Sequence, residues 1–204
     1  MIMKKLAAET KGIVQECISA LARKGAVLLL PTETVYGLIA VWGDEEAKER
    51  IYELKNRPRE KLLGLFIPHL AALEKLLEGE IHPQARRMAE KFMPGPLTLI
   101  LPDGKGGTIG VRIPDHPLLL AVLQESGLLL AQTSANASGT PPGRTMEESL
   151  AQLTGEVALA VDGGKIPHEP VSSTIVLFKE DGSWQILREG PISKKALQEA
   201  LQEN

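Results

Sequence analysis

Residues 26–30, AVLLL, form a continuous apolar run that ends at Pro31. No polar residue alternates through it, so the run predicts a short strand buried on both faces. The rest of the chain supplies helices to cover such a strand. Ile13, Val14, Cys17, Ile18 and Leu21 recur at helical spacing within 11–24, and Gly25 stands just past that helix. Asp44 is placed to cap a helix that carries Ala47, Ile51 and Leu54. LLGLFI (62–67) predicts the next strand, and helices follow over 69–78 and 83–92. PLTLILP (96–102) and TIGVRIP (108–114) flank DGKGG and predict a hairpin. A helix over 116–126 leads into the strand LLLAQ (128–132), and one over 145–153 leads into VALAV (157–161). TIVLF (174–178) and WQILR (184–188) predict a second hairpin around EDG, before an amphipathic helix over 193–202. Helices and strands that alternate, with hairpins between them, predict a single α/β domain over 1–204 built on a mixed sheet.

Bulk properties narrow the function classes. A net charge of −3 excludes a broadly basic nucleic-acid binder but leaves room for a local basic cleft. Aromatic residues make up 3%, too few for a base-stacking platform. Cys17 is the single cysteine, so no internal disulfide forms and a reducing compartment is expected. No apolar stretch reaches the roughly 18–20 residues that span a bilayer. The polar start, MIMKKLAAETK, does not read as a signal peptide. The expectation is a cytoplasmic protein without a membrane partner.

Polar residues gather where the predicted strands end, at Thr32–Tyr36, Lys55–Arg59, Thr133–Asn136 and Ser172–Thr174. In open α/β sheets ligands bind outside strand ends. Together with Arg112 and Arg188, these segments would build a pocket of four cations (Lys55, Arg57, Arg112 and Arg188) and several hydroxyls, suited to a polyanion with phosphate oxygens. Other motifs carry less. DGKGG lacks the spacing of a phosphate-binding loop, and the histidines at 69, 82, 116 and 168 lack metal-ligand spacing. Cys17 sits on an apolar helix face, where packing is its expected role.

Taken singly, each polar block has a plain structural reading as a strand edge, a helix end or a Ser/Thr turn. Their order is specific. PTETVYGL (31–38), LKNRP (54–58), FMPGPLTLIL (92–101), GVRIPDHP (110–117), QTSANASGTPP (132–142), SSTIV (172–176) and LREGPI (187–192) together resemble the YrdC-like family of threonylcarbamoyl-AMP synthases. The resemblance implies a twisted open α/β fold with a large concave basic cleft. It implies an enzyme that condenses L-threonine, bicarbonate and ATP into threonylcarbamoyl-AMP and releases pyrophosphate. Magnesium would enter with ATP, and no tightly bound prosthetic group is expected. The product would feed a tRNA threonylcarbamoyl transferase that modifies adenosine beside the anticodon.

The resemblance also maps site residues. Lys55, Arg57, Ser134 and Asn136 are the expected catalytic set, holding triphosphate or carbamate oxygens. Thr32, Tyr36, Arg59, Arg112, Thr133, Ser173, Thr174 and Arg188 are the expected substrate and ATP contacts, with Thr32 on threonine and Arg188 on ATP. Glu33 is expected to hold an arginine rather than magnesium. No protein metal site is expected. Leu62 stands where several relatives carry proline, and TIVLF lacks an aspartate common after the Ser-Thr block. The chain reads as the short, single-domain form, with the loop 163–173 a candidate lid. Alternatives are a non-catalytic module whose cleft binds tRNA or double-stranded RNA weakly, a regulatory or ribosome-maturation paralogue, and a carbamoyl-transfer domain of the hydrogenase-maturation kind.

Overall fold

The computed structural model describes residues 3–77, 80–167, 169 and 171–202. The last residue of the helix expected over 69–78 and His168 in the second long loop lie outside them. The strands are β1 (Lys4–Ala7), β2 (Leu28–Leu30), β3 (Gly37–Val41), β4 (Gly64–Phe66), β5 (Leu97–Pro102), β6 (Thr108–Arg112), β7 (Leu130–Ser134), β8 (Leu159–Asp162), β9 (Thr174–Phe178) and β10 (Trp184–Arg188). The helices are α1 (Ile13–Leu21), α2 (Glu45–Lys55), α3 (Leu70–Leu76), α4 (Pro83–Phe92), α5 (Pro117–Ser126), α6 (Met146–Leu150) and α7 (Lys194–Gln202).

Among the described residues these strands join one sheet in the order β1-β8-β2-β3-β7-β4-β6-β5-β9-β10. The sheet is mixed. β8 is parallel to β1 and β2, β4 to β6, and β5 to β9, while the hairpin partners β5–β6 and β9–β10 run antiparallel. β2 is buried along its whole length, as the continuous apolar run requires. Asp44 caps α2, its Oδ1 accepting from the Ala47 amide at 3.1 Å. Its second oxygen accepts from the amide of Gly25, which holds φ +74°.

Strand alternation assigns each residue to a face. On one face, Leu29, Leu38, Ala131 and Ala160 form a core with Ala47 and Ile51 of α2 and Met146 of α6. Farther along the same face, Leu65, Leu99, Val111 and Val176 pack against α3, α4 and α7. On the opposite face, Leu28, Leu30, Ile39, Leu130 and Leu159 pack against α1 and α5. The remainder of that second face, over β4, β6, β5, β9 and β10, has a different composition. Its inner strands present Thr98 and Ile100 from β5, Thr108, Gly110 and Arg112 from β6, and Ile175 from β9. The pairings Ile100↔Gly110, Pro102↔Thr108, Thr98↔Ile175 and Ile175↔Arg188 put them side by side. Ile100 and Ile175 belong to none of the three cores. The sheet is thus covered from β8 to β9 on one face, with edge strand β1 exposed there, and only half covered on the other.

Candidate functional site

The uncovered half-face is the floor of a half-open cavity of about 240 Å³. Thr98, Ile100, Thr108, Gly110 and Ile175 line it from below, with Gln132, Thr133 and Ser134 of β7 beside them. Thr34 and Val35 enter from the β2–β3 turn, Arg57 and Leu62–Gly64 from the segment after α2, and Ser172 and Ser173 from the loop before β9. Arg112 and Arg188 complete the wall. The cavity therefore lies on the sheet face as well as at strand ends, where ligand contacts were expected. The reason is the missing cover: α1 and α5 stop over the first half of the sheet.

Three guanidinium groups line this space. Arg112 is 4% exposed. Its Nη2 donates to Glu33 Oε1 at 2.6 Å and to Thr34 Oγ1 at 3.0 Å, its Nε donates to the Gly95 carbonyl at 3.0 Å, and it lies over the Phe66 ring. Glu33 thus pairs with an arginine. Arg57 donates through Nε to the Lys61 carbonyl and through Nη2 to that of Leu62. Arg188 donates through Nε to the Ser173 carbonyl at 3.0 Å and through Nη2 to Ser173 Oγ at 3.3 Å. Gly190 lets the following chain pass close by, because a Cβ there would collide with the backbone of Ser172 and Thr174. Neither Arg57 nor Arg188 has a carboxylate partner among the described residues. Burial, and then the Arg112 charge, lower the Arg188 pKa. Two uncompensated guanidinium groups in a half-buried cavity, one near a third, disfavour their own charge until an anion arrives.

The sequence-derived candidates divide into two groups. Arg57, Arg112, Thr133, Ser134, Ser173 and Arg188 line the cavity. The others do not, and each has structural partners. Thr32 Oγ1 accepts from the amides of Thr34 and Val35 and donates to the Val35 carbonyl, closing its own turn. Tyr36 OH donates to the Gly164 carbonyl at 2.8 Å and accepts from the Gly163 amide at 3.0 Å, tying this turn to the loop after β8. Burial pushes the Tyr36 phenol up to about 12. Thr174 Oγ1 donates to the Ile192 carbonyl and accepts from the amides of Gly190 and Ile192. Arg59 is exposed and pairs with Glu49 at 2.6 Å.

Lys55 and Arg57 part company at the helix end. Asn56 takes φ +47°, so the chain turns sharply after Lys55. Arg57 reaches the cavity, while Lys55 turns inward to 2% exposure. Its ammonium donates to the carbonyls of Ser134 and Asn136, the latter at 2.6 Å, and its own carbonyl accepts from the Ser138 amide. Burial, and then the Arg57 charge, lower its pKa to about 7. Asn136 Nδ2 donates to the carbonyls of Ala137 and Thr140, and its buried Oδ1 has no hydrogen-bond partner among the described residues. Lys55 and Asn136 together pin the loop that follows Ser134.

Thr34, Thr98, Thr108, Gln132 and Ser172 line the cavity but were not singled out as contacts. For the strand residues the signal was period-two alternation: Thr98 between Leu97 and Leu99, and Thr108, Gly110 and Arg112 alternating with Ile109 and Val111. Thr34 and Ser172 lie in loops, where no such pattern exists. Among the described residues no cluster of three His, Cys, Asp or Glu side chains could hold a metal ion, and no helix is long and apolar enough to cross a membrane.

Known proteins resemble this chain along most of its length. The Sua5/YciO/YrdC family model, described as telomere recombination, matches residues 20–190. A Bacillus subtilis threonylcarbamoyl-AMP synthase is 38% identical over 193 residues, which cover 90% of this chain and 55% of the relative. A putative threonylcarbamoyl-AMP synthase of Mycobacterium tuberculosis is 30% identical over 201 residues, 94% of this chain and 90% of the relative. The crystal structure of Pyrococcus abyssi Sua5 complexed with L-threonine superposes with a TM-score of 0.86 at 30% identity, covering 98% of this chain and 61% of that one. The chain thus spans about half the length of the Bacillus relative.

Proposed function

The chain belongs to the Sua5/YciO/YrdC family, and from that premise we propose that it is a threonylcarbamoyl-AMP synthase. The observation that carries the reading is the convergence of Arg57, Arg112 and Arg188 on one hydroxyl-lined cavity, where among the described residues only Arg112 has a carboxylate partner. Such a site favours a ligand with several anionic oxygens. L-Threonine, bicarbonate and ATP with magnesium supply them.

In this reading the threonine amine and bicarbonate give a carbamate and water. A carbamate oxygen then attacks the α-phosphorus of ATP, and pyrophosphate leaves. The protein's work is positioning and charge stabilisation. Arg188 and Arg57 hold phosphate oxygens. Arg112, fixed by Glu33 and Gly95, orients a carboxylate or carbamate, with Ser134, Thr133 and Ser173 as hydroxyl contacts. Lys55 and Asn136 act first on the loop that presents Ser134. The product would pass to a transferase that modifies tRNA.

The test is pyrophosphate release from ATP and bicarbonate in magnesium buffer, with L-threonine, L-serine or neither. Release that needs both L-threonine and bicarbonate supports the reading. No release from folded protein that binds ATP would refute it and favour a paralogue without synthase activity.

A further inference from the structure

Thr98 has no role in the reaction as drawn above, although the residue is 7% exposed and lines the cavity floor. Its Oγ1 lies 2.8 Å from Ser173 Oγ, on a residue that is 5% exposed. Ser173 Oγ also accepts from Arg188 Nη2, and a guanidinium can only donate. The two hydroxyls own two protons. One lies between the two oxygens. The other has no acceptor among the described residues, although both groups are more than nine-tenths buried. A buried donor without an acceptor is costly, and water or a ligand in the cavity is the remaining partner.

Polarity orders this chain. Arg188 donates to Ser173. If Ser173 donates to Thr98, every group in the row is polarised in the same sense and each bond strengthens the next. The spare proton then sits on Thr98 and points at the cavity. We propose that Thr98 is a further ligand-binding residue, donating this proton to an anionic oxygen, carboxylate or phosphate, held beside Arg188. In the opposite arrangement Thr98 donates to Ser173, and Ser173 carries the spare proton. The two arrangements predict different mutants. The identity of the oxygen rests on the synthase reading; the existence of the donor does not.

The experiment compares Thr98→Val, which keeps the shape and removes the hydroxyl, with Thr98→Ser, which restores it. Steady-state pyrophosphate release gives KM and kcat for L-threonine, bicarbonate and ATP in turn. Calorimetric binding of ATP and of L-threonine runs alongside, and thermal unfolding confirms the fold. A hydrogen bond to a charged oxygen predicts a loss of about ten- to a hundredfold in affinity or kcat/KM in Thr98→Val, and recovery to within about threefold in Thr98→Ser. A rise confined to ATP assigns the oxygen to phosphate, and one confined to threonine or bicarbonate assigns it to the carboxylate or carbamate. Unchanged constants in Thr98→Val overturn the proposal and place the donor on Ser173. Equal losses in both variants also overturn it, because they make the methyl group's packing the cause. If wild-type protein shows no turnover, the synthase reading fails, and the binding measurements still decide the role of Thr98.

Discussion

Replacing Lys55 with methionine tests the buried ammonium through the pH dependence of stability. Lys55 is 2% exposed, and burial with the Arg57 charge lowers its pKa from 10.5 to about 7. Between those values the unfolded chain keeps the lysine proton and the folded chain has released it. The unfolded state therefore binds more protons, and stability rises with pH across that window. Integrated from pH 7 to pH 9, the rise is about 2 kcal/mol, with the slope fading toward pH 10.5. The Cys17 thiol and the Tyr36 phenol, both pushed up to about 12 chiefly by burial, work in the opposite direction. Their folded forms hold the proton, so their contribution is lost from about pH 9 upward, and the measurement stops at pH 9. Urea unfolding at pH 7, 8 and 9 reads the effect as a shift in midpoint at constant slope. Lys55→Met removes the titrating group and flattens the rise, whatever its baseline stability. That baseline reflects two opposing changes: a buried charge is removed, and the carbonyls of Ser134 and Asn136 lose a donor. A wild-type midpoint that does not move with pH, or an equal movement in the variant, would show that the carbonyl cradle keeps Lys55 charged throughout and would refute the argument.

Glu33→Gln keeps the shape but leaves the Arg112 guanidinium, 4% exposed, without its countercharge. The expected destabilisation is about 2–3 kcal/mol, below the usual range for a broken buried pair because Arg112 keeps its contacts with Gly95 and Thr34. Thermal unfolding reads this as a lowering of Tm of roughly 4–12 °C. Arg188→Met should raise the KM for ATP at least about tenfold with little change in Tm, since its protein partners are two atoms of Ser173; an unaltered KM would remove Arg188 from the phosphate site. Tyr36→Phe should speed hydrogen exchange at the Gly163 amide, which loses its acceptor, and cost about 1–2 kcal/mol in urea unfolding. Unchanged exchange would show that the loop is held elsewhere.

The chain's local chemistry set its elements. AVLLL and TIVLF read as buried strands because continuous or alternating branched apolar residues suit no other short structure, and the strand over 174–178 and the helix over 83–92 keep their expected limits. That Arg112, Ser134, Ser173 and Arg188 would come together was legible through the order of their motifs, and they line one cavity. Other features were not. β1, KKLA, is polar and exposed, and it becomes a strand only through parallel pairing with β8. β3 follows the polar turn at 32–36 and gains its identity from β2 on one side and β7 on the other. Within the motif PTETVYGL, nothing local distinguishes Thr34, which faces the cavity, from Thr32 and Tyr36, which close turns. The same holds for Ser173 beside Thr174, neighbours on opposite sides of the backbone. The sequence by itself therefore determined the helices, most strands, the mixed α/β class and the segments that carry the site. Tertiary structure alone decided the sheet order, the bare half-face, and which hydroxyl or cation reaches it. The deciding partners lie far apart in the chain: Glu33 and Arg112 are 79 residues apart, and Lys55 and Ser134 are also 79 apart. Local propensity acts over a few residues, whereas the direction a polar side chain takes depends on what the folded chain brings beside it.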